Sequence, residues 1–179
     1  MIINDENLRT GFYLDNKSIL VGAWNLLDGP SGAGKTTLLK EFVRQLVADG
    51  QTKVAFVPQR PVIIPGTVVD NIRFFRNVTD VRINDLMNLV GLNDSVSGKN
   101  LKDNGFPLSG GEIQRMVLAR AVAEKIGLLV LDESFSAIDN VLAQKIINKI
   151  KETGVTAVFT SHSESLKTNA NNKMTLMKC

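Results

Sequence analysis

The chain is 179 residues long, 44% hydrophobic and 22% charged, which excludes a disordered polypeptide and leaves room for one domain, or a core with one small lobe. Its net charge of +3 and pI near 9.1 are mild and spread along the chain; they give no argument for nucleic acid and fit a phosphate ligand equally well. No run of about 18 apolar residues occurs, so no membrane span is expected, while a mean hydropathy of +0.04 points to some apolar surface that meets a partner.

The start Met1-Ile2-Ile3-Asn4-Asp5-Glu6 has neither the basic stretch nor the apolar segment of a signal peptide. Two short strand candidates follow, Gly11-Phe12-Tyr13-Leu14 and Ile19-Leu20-Val21, separated by the turn-prone Asp15-Asn16. Ala23-Trp24-Asn25-Leu26-Leu27 then reads as a buried strand. From Thr37 to Ala48 the residues Leu38, Leu39, Phe42, Val43, Leu46 and Val47 fall at helical spacing, and Gly50 is a stop signal. Between strand and helix lies Gly29-Pro30-Ser31-Gly32-Ala33-Gly34-Lys35-Thr36, which satisfies G-x-x-x-x-G-K-[ST] at every position. Its glycines let backbone N–H groups turn onto an anion, Lys35 supplies a point charge and the Thr36 hydroxyl can join a Mg²⁺ shell. The helix that follows adds its N-terminal dipole to the cradle.

Val54-Ala55-Phe56-Val57 makes a second buried strand, ending at Pro58-Gln59. From Arg60 to Pro107 turn residues (Pro61, Pro65, Gly66) give way to short helical pieces, notably Val81, Ile83, Leu86, Met87, Leu89 and Val90. Ser109 opens a longer helix carrying Ile113, Met116, Val117, Ala121 and Val122 to about Lys125. Leu128-Leu129-Val130-Leu131, fully apolar as central parallel strands are, ends in Asp132-Glu133. A helix from about Val141 to Ile150 and a fourth strand, Val155 to Phe159, precede Thr160-Ser161-His162. The single cysteine, Cys179, excludes a disulfide framework and fits a reducing cytoplasm. Alternating strands and helices imply a parallel α/β sheet with ligands outside the carboxyl ends of its strands.

Asp132 and Glu133 follow four apolar residues, so both carboxylates fall at the edge where the phosphate loop sits. There Asp132 would hold Mg²⁺ and Glu133 would polarise an attacking water. An acidic pair after a strand is otherwise often a helix cap. Ser109-Gly110-Gly111-Glu112 is a capping box, which leaves its glycine pair unexplained, since each costs about 1 kcal/mol inside a helix; a backbone approaching an anion accounts for them. His162, the only histidine, would read as a surface residue were it not at the end of the strand after Asp132-Glu133.

The phosphate loop, a glutamine after the second strand, LSGGE, LVLDE and a histidine after the fourth strand occur together in one order, and in this the sequence resembles the ATP-binding cassette (ABC) ATPases from Leu26 to His162. The resemblance implies an α/β P-loop NTPase core (residues 1–59 and 108–179) with a mostly parallel sheet, a reduced antiparallel β-lobe, and a helical lobe (60–107). It also implies ATP and Mg²⁺ sites lying between two subunits. Gly29, Pro30, Ser31, Gly32, Ala33, Gly34, Lys35, Thr36 and Thr37 match the Walker A loop and helix start, and Gln59 matches the Q-loop glutamine. Leu108, Ser109, Gly110, Gly111 and Glu112 match the signature motif, which would reach the γ-phosphate of the other subunit, with glutamic acid at 112 where glutamine is commoner. Thr36, Gln59 and Asp132 would serve the metal; Glu133 would be general base, His162 the switch histidine, and Ser136-Ala137-Ile138-Asp139 the D-loop.

Phe56 to Ile72 resembles the exporter version of the segment that touches a membrane subunit, with Val62, Ile63 and Ile64 exposed or packed in the lobe; Asp103-Asn104-Gly105 is a partial match to an exporter Glu-x-Gly. Gln51 to Val54 follow the Walker A helix with no antiparallel hairpin between, so the β-lobe looks pruned. Tyr13, with Phe12 second, is the candidate to stack on adenine, and otherwise a strand aromatic. The resemblance thus implies an ATPase that pairs with a second ABC subunit, as a homodimer, and drives a transmembrane partner, in export, from the cytoplasmic face of the inner membrane, with no nucleic acid expected. Two alternatives remain. A soluble non-transport ABC ATPase acting on DNA or ribosomes generally carries a coiled-coil insertion or a tandem cassette, and a regulatory module would barely hydrolyse.

Overall fold

The computed structural model describes Ile3, residues 12–102 and residues 104–178. In chain order they form β1 (Phe12–Leu14), β2 (Trp24–Asp28), α1 (Lys35–Asp49), β3 (Val54–Val57), β4 (Gly66–Thr67), α2 (Val68–Arg73), α3 (Asp80–Val90), α4 (Asp94–Ser97), β5 (Asn100–Leu101), α5 (Gly110–Ala121), β6 (Leu128–Asp132), α6 (Asn140–Lys151), β7 (Thr156–Thr160), α7 (Glu164–Lys167) and β8 (Asn172–Lys178). The main sheet has the order β1-β8-β2-β7-β6-β3. Every neighbouring pair in it is parallel except β1 with β8, so the mostly parallel sheet stands and, among the described residues, its antiparallel part shrinks to one pair.

Helices cover both faces, which is why β6 and β7 are buried along their whole length. Side chains alternate along each strand. Leu27, Leu128, Val130, Val158 and Met174 pack with Leu38, Leu39 and Phe42 of α1. Trp24, Leu26, Leu129, Leu131, Ala157 and Phe159 face the other way, into one cluster with Met116 and Leu118 of α5, Ile146, Ile147 and Ile150 of α6, and the apolar sides of α2 and α3. The segment between β3 and α5 thus shares its core with the sheet.

Several elements differ from expectation. Ile19-Leu20-Val21 is no strand, because both backbone groups of Leu20 are taken by the buried side chain of Asn25, at 2.8 Å for its N–H and 3.1 Å for its carbonyl. The helix opened by Ser109 ends at Ala121 and not near Lys125. Arg76 donates to the carbonyl of Arg120 at 2.6 Å and Arg82 to that of Val122 at 2.9 Å, so guanidinium groups take carbonyls that a further turn would have used. Helix α2, the β4–β5 pair and β8 are additional to the sequence reading. Thr67 and Asp70 cap α2 reciprocally, and β8 completes the sheet beside β2 in parallel register. Gly11, Asp103, Cys179 and the first residues except Ile3 lie outside the described residues.

Candidate active site

Four neighbouring strands, β2, β7, β6 and β3, end at the same edge of the sheet, and the candidate residues follow directly. Beyond β2, Gly29 lies so close to β8 that a Cβ would come 2.8 Å from that of Leu176. Gly34, left-handed at φ 98°, opens α1 with no side-chain cap and no acidic residue in the first turn. The first N–H groups of α1 and its dipole therefore meet no competing carboxylate from the helix's own first turn. Lys35 arches back over the loop, its Nζ donating to the carbonyls of Gly29 (2.7 Å) and Pro30 (3.0 Å).

An open cleft of about 400 Å³ is lined by Ser31, Gly32, Gly34, Lys35, Thr36, Thr37, Gln59, Glu133 and His162. Across it the Glu133 carboxylate accepts from Gln59 Nε2 at 2.9 Å and meets His162 Nε2 at 2.8 Å. Gln59 comes from the end of β3, Glu133 from β6 and His162 from β7, so three separate strand ends converge on one carboxylate. Glu133 holds a left-handed backbone, φ 49°, uncommon for a residue with a side chain. Asp132, 1% exposed, receives the hydroxyl of Thr160 on Oδ1 at 3.0 Å, while its Oδ2 is buried without a partner among the described residues.

That orphan oxygen fits a cation. A buried carboxylate oxygen left unpaired is costly unless an ion or water meets it. Among the described residues no group of three or more His, Cys, Asp or Glu could hold a metal.

Just before the loop, Asp28 accepts from Lys173 Nζ at 2.9 Å and from the Gly29 N–H at 2.9 Å, with Lys167 Nζ at 3.2 Å. Burial pushes its carboxyl up, but these donors outweigh burial and hold its pKa at about 2.

Ser109, Gly110 and Gly111 are not part of the cleft lining. Ser109 and Glu112 form the capping box, the Ser109 N–H and hydroxyl each donating to Glu112 Oε2 at 2.8 Å, and those two bonds hold the Glu112 carboxyl below its usual range. Gly111, the second of the pair, has a packing cause that its residue type does not reveal. A Cβ on Gly111 would sit 2.7 Å from the carbonyl oxygen of Ala137, so α5 rests directly on the 136–139 loop. Gln114 ties the two together, donating to Ser136 Oγ at 2.9 Å and accepting from the Ala137 N–H at 2.8 Å. Asp139 of that loop caps α6.

Tyr13 sits on the edge strand β1, 44% exposed, and is not among the cleft residues; the side chain of Phe12 lies outside what is described. Val62 is exposed, whereas Ile63 packs against the core. Thr160, Gln114 and Arg120 are new from the structure. Arg120 holds the segment after Gln59, donating to the carbonyls of Val62 (2.6 Å) and Asn71 (2.7 Å). For Thr160 the available signal is a polar residue ending an apolar strand, directly before Ser161-His162.

The family described as ABC transporter matches residues 16–136. A Rickettsia typhi protein named, provisionally, as an export ATP-binding/permease protein is 32% identical over 78% of this chain and 29% of its own length. "ABC transporter I family member 17" of Arabidopsis thaliana is 33% identical over 82% of this chain and 63% of its own length. The structure titled as a bacterial Atm1-family ABC exporter with ATP bound superposes with a TM-score of 0.78 at 22% identity, over 90% of this chain and 33% of that one. This chain thus spans under a third of the rickettsial relative. The family match covers the phosphate loop, the LSGGE helix start and the acidic strand end, and the chain belongs to the ABC transporter family, as its ATP-binding cassette.

Proposed function

We propose that the chain hydrolyses ATP as the nucleotide-binding part of an ABC exporter, pairing head to tail with a second copy around two Mg²⁺-ATP and working on a transmembrane partner from the cytoplasmic face. The observation that carries this is the division of the candidate residues. Lys35, Thr36, Gln59, Glu133 and His162 share one cleft, whereas Ser109 and Gly110 are exposed and line none of it. The exposed start of α5 brings the positive end of its dipole to the surface, with Glu112 on the Ser109 N–H and hydroxyl, and another molecule's cleft would bring a phosphate to it. The export assignment leans on the names of the rickettsial relatives.

In this reading the loop N–H groups and Lys35 take the phosphates, with Lys35 giving up its two loop carbonyls to do so. Mg²⁺ bound with the nucleotide would be held by Thr36 and Asp132, assisted by Gln59, and would offset charge on the phosphates. Glu133 takes the proton of the attacking water, and His162 and Gln59, already bonded to its two oxygens, keep it oriented. Ser109 of the partner completes the γ-phosphate shell. Carrying a dimer from 1:99 to 99:1 closed requires about 5.5 kcal/mol of differential binding, here divided between two nucleotides.

Glu133→Gln keeps the shape and removes the base, so it should bind ATP and accumulate as a dimer in size-exclusion chromatography. Only monomer with saturating Mg²⁺-ATP would count against the shared-site mechanism. Phosphate release by the unaltered chain separates this enzyme from a nucleotide-binding module that barely hydrolyses.

A further inference from the structure

The last residue of β7 is Thr160, 2% exposed at the end of a strand that is buried throughout. A valine would fill the same space on the same β-branched backbone, and a hydroxyl buried without partners would be costly. Both capacities of this hydroxyl are used. It donates to Asp132 Oδ1 at 3.0 Å and accepts the backbone N–H of Glu133 at 2.9 Å. The strand register makes the pair possible, since Thr160 lies directly opposite Asp132 in the parallel β6–β7 ladder.

Two consequences follow for the acidic pair. One oxygen of Asp132 is taken by Thr160 and the other, Oδ2, is left buried and bare, so the carboxylate cannot turn without breaking its only side-chain bond among the described residues. The left-handed turn of Glu133 is strained for a residue with a Cβ, and Thr160 takes the N–H at that turn while Gln59 and His162 hold the carboxylate. Neighbouring hydroxyls are engaged elsewhere: Ser134 donates to the carbonyl of Val57 at 2.9 Å, and Ser161 accepts from the Ser163 N–H at 3.1 Å.

We infer that Thr160 is a positioning residue for the metal and the base together. Its single hydroxyl fixes which oxygen of Asp132 faces the cation, and it locks the backbone turn that sends Glu133 into the cleft. This assignment rests on Asp132 serving Mg²⁺ as proposed above.

The test is a Mn²⁺ titration followed by electron paramagnetic resonance, with a non-hydrolysable ATP analogue bound, on the unaltered chain and on T160V, T160S, T160C and D132N. Losing a hydrogen bond that orients a metal carboxylate weakens metal affinity by about tenfold or more. Thr160→Val should therefore weaken Mn²⁺ about tenfold, while analogue binding in EDTA stays unchanged and shows that the loop is intact. Thr160→Ser, which loses the methyl and keeps the hydroxyl, should retain affinity within about twofold. Should the valine variant not fold, the serine and cysteine variants, which differ by oxygen against sulfur, make the same comparison. A valine or cysteine variant with unchanged Mn²⁺ affinity, or a serine variant as weak as valine, would overturn the inference. Asp132→Asn separates the two layers: if it leaves Mn²⁺ affinity unchanged the metal site itself is wrong, and if it abolishes binding while Thr160→Val does not, only the role of Thr160 fails.

Discussion

The carboxyl edge of the sheet and the start of α5 both carry family motifs, yet they are built in opposite ways. At the sheet edge Asp132 is buried and Glu133 partly so, and both carboxylates are held from other strand ends: Gln59 and His162 on Glu133, Thr160 on one oxygen of Asp132. At the start of α5, Ser109 and Gly110 are exposed, with the helix cap and the Ala137 loop as their supports among the described residues. The first arrangement is preorganised for charge that arrives, since its dipoles are already fixed before a ligand binds. The second is a presented surface, positioned from below and open above. In the proposed pairing, the assembled half would be completed by the presented half of a second copy.

The largest expected effect breaks the sheet edge alone. Glu133→Gln should lower ATP turnover by about 10²–10⁴-fold, the range for losing a general base, without weakening ATP binding, measured by phosphate release beside equilibrium binding. Next, Gly111→Ala attacks the presented half, because its methyl would meet the Ala137 oxygen at 2.7 Å. Overpacking of this kind costs about 1–3 kcal/mol. We expect a lower melting temperature and loss of turnover while nucleotide affinity of the monomer persists; equal losses in both would show that the two regions are not independent.

The Asp28 carboxylate, beside the loop, supplies a pH test. Its folded pKa of about 2 lies below the ordinary 3.8, so its contribution is complete above about pH 4 and disappears as pH falls toward 2. That contribution is at most about 2.5 kcal/mol. Asp28→Asn should flatten this part of the stability profile in a pH series of melting curves, and a profile parallel to the unaltered chain would remove the Asp28–Lys173 pair from consideration. The smallest effect sharpens the contrast within one motif. Gly110→Ala meets only Ala137 Cβ, at an ordinary 3.6 Å, so stability should change by less than about 1 kcal/mol, and any fall in turnover would report the exposed surface itself.

Local chemistry made much of this molecule readable in advance. Gly29 to Thr36 is one turn between a strand and a helix, Ser109 to Glu112 is one helix cap, and β6 is an unbroken apolar run; in each case the residues that determine the structure are within a few positions of one another. The misreadings fall where side chains claim backbone groups: Asn25, five positions on, takes those of Leu20, and Arg76 and Arg82, from far earlier in the chain, take carbonyls at the end of α5. Strand β8 carries Asn172 and Lys173 at its start, which hides its alternation of Met174 and Leu176 inward from a search for apolar runs.

By itself, then, the sequence determined the strand–loop–helix turn from Gly29 to Thr36, on which the proposed phosphate site rests, and the residue types in it, because those are short-range properties of backbone and charge. Only the tertiary structure decided that Gln59, Glu133 and His162 meet on one carboxylate, that Thr160 divides its hydroxyl between Asp132 and Glu133, and that Gly111 is required by Ala137. Each of these depends on strand order, register or close approach between segments far apart in the chain, and no local periodicity encodes such pairings.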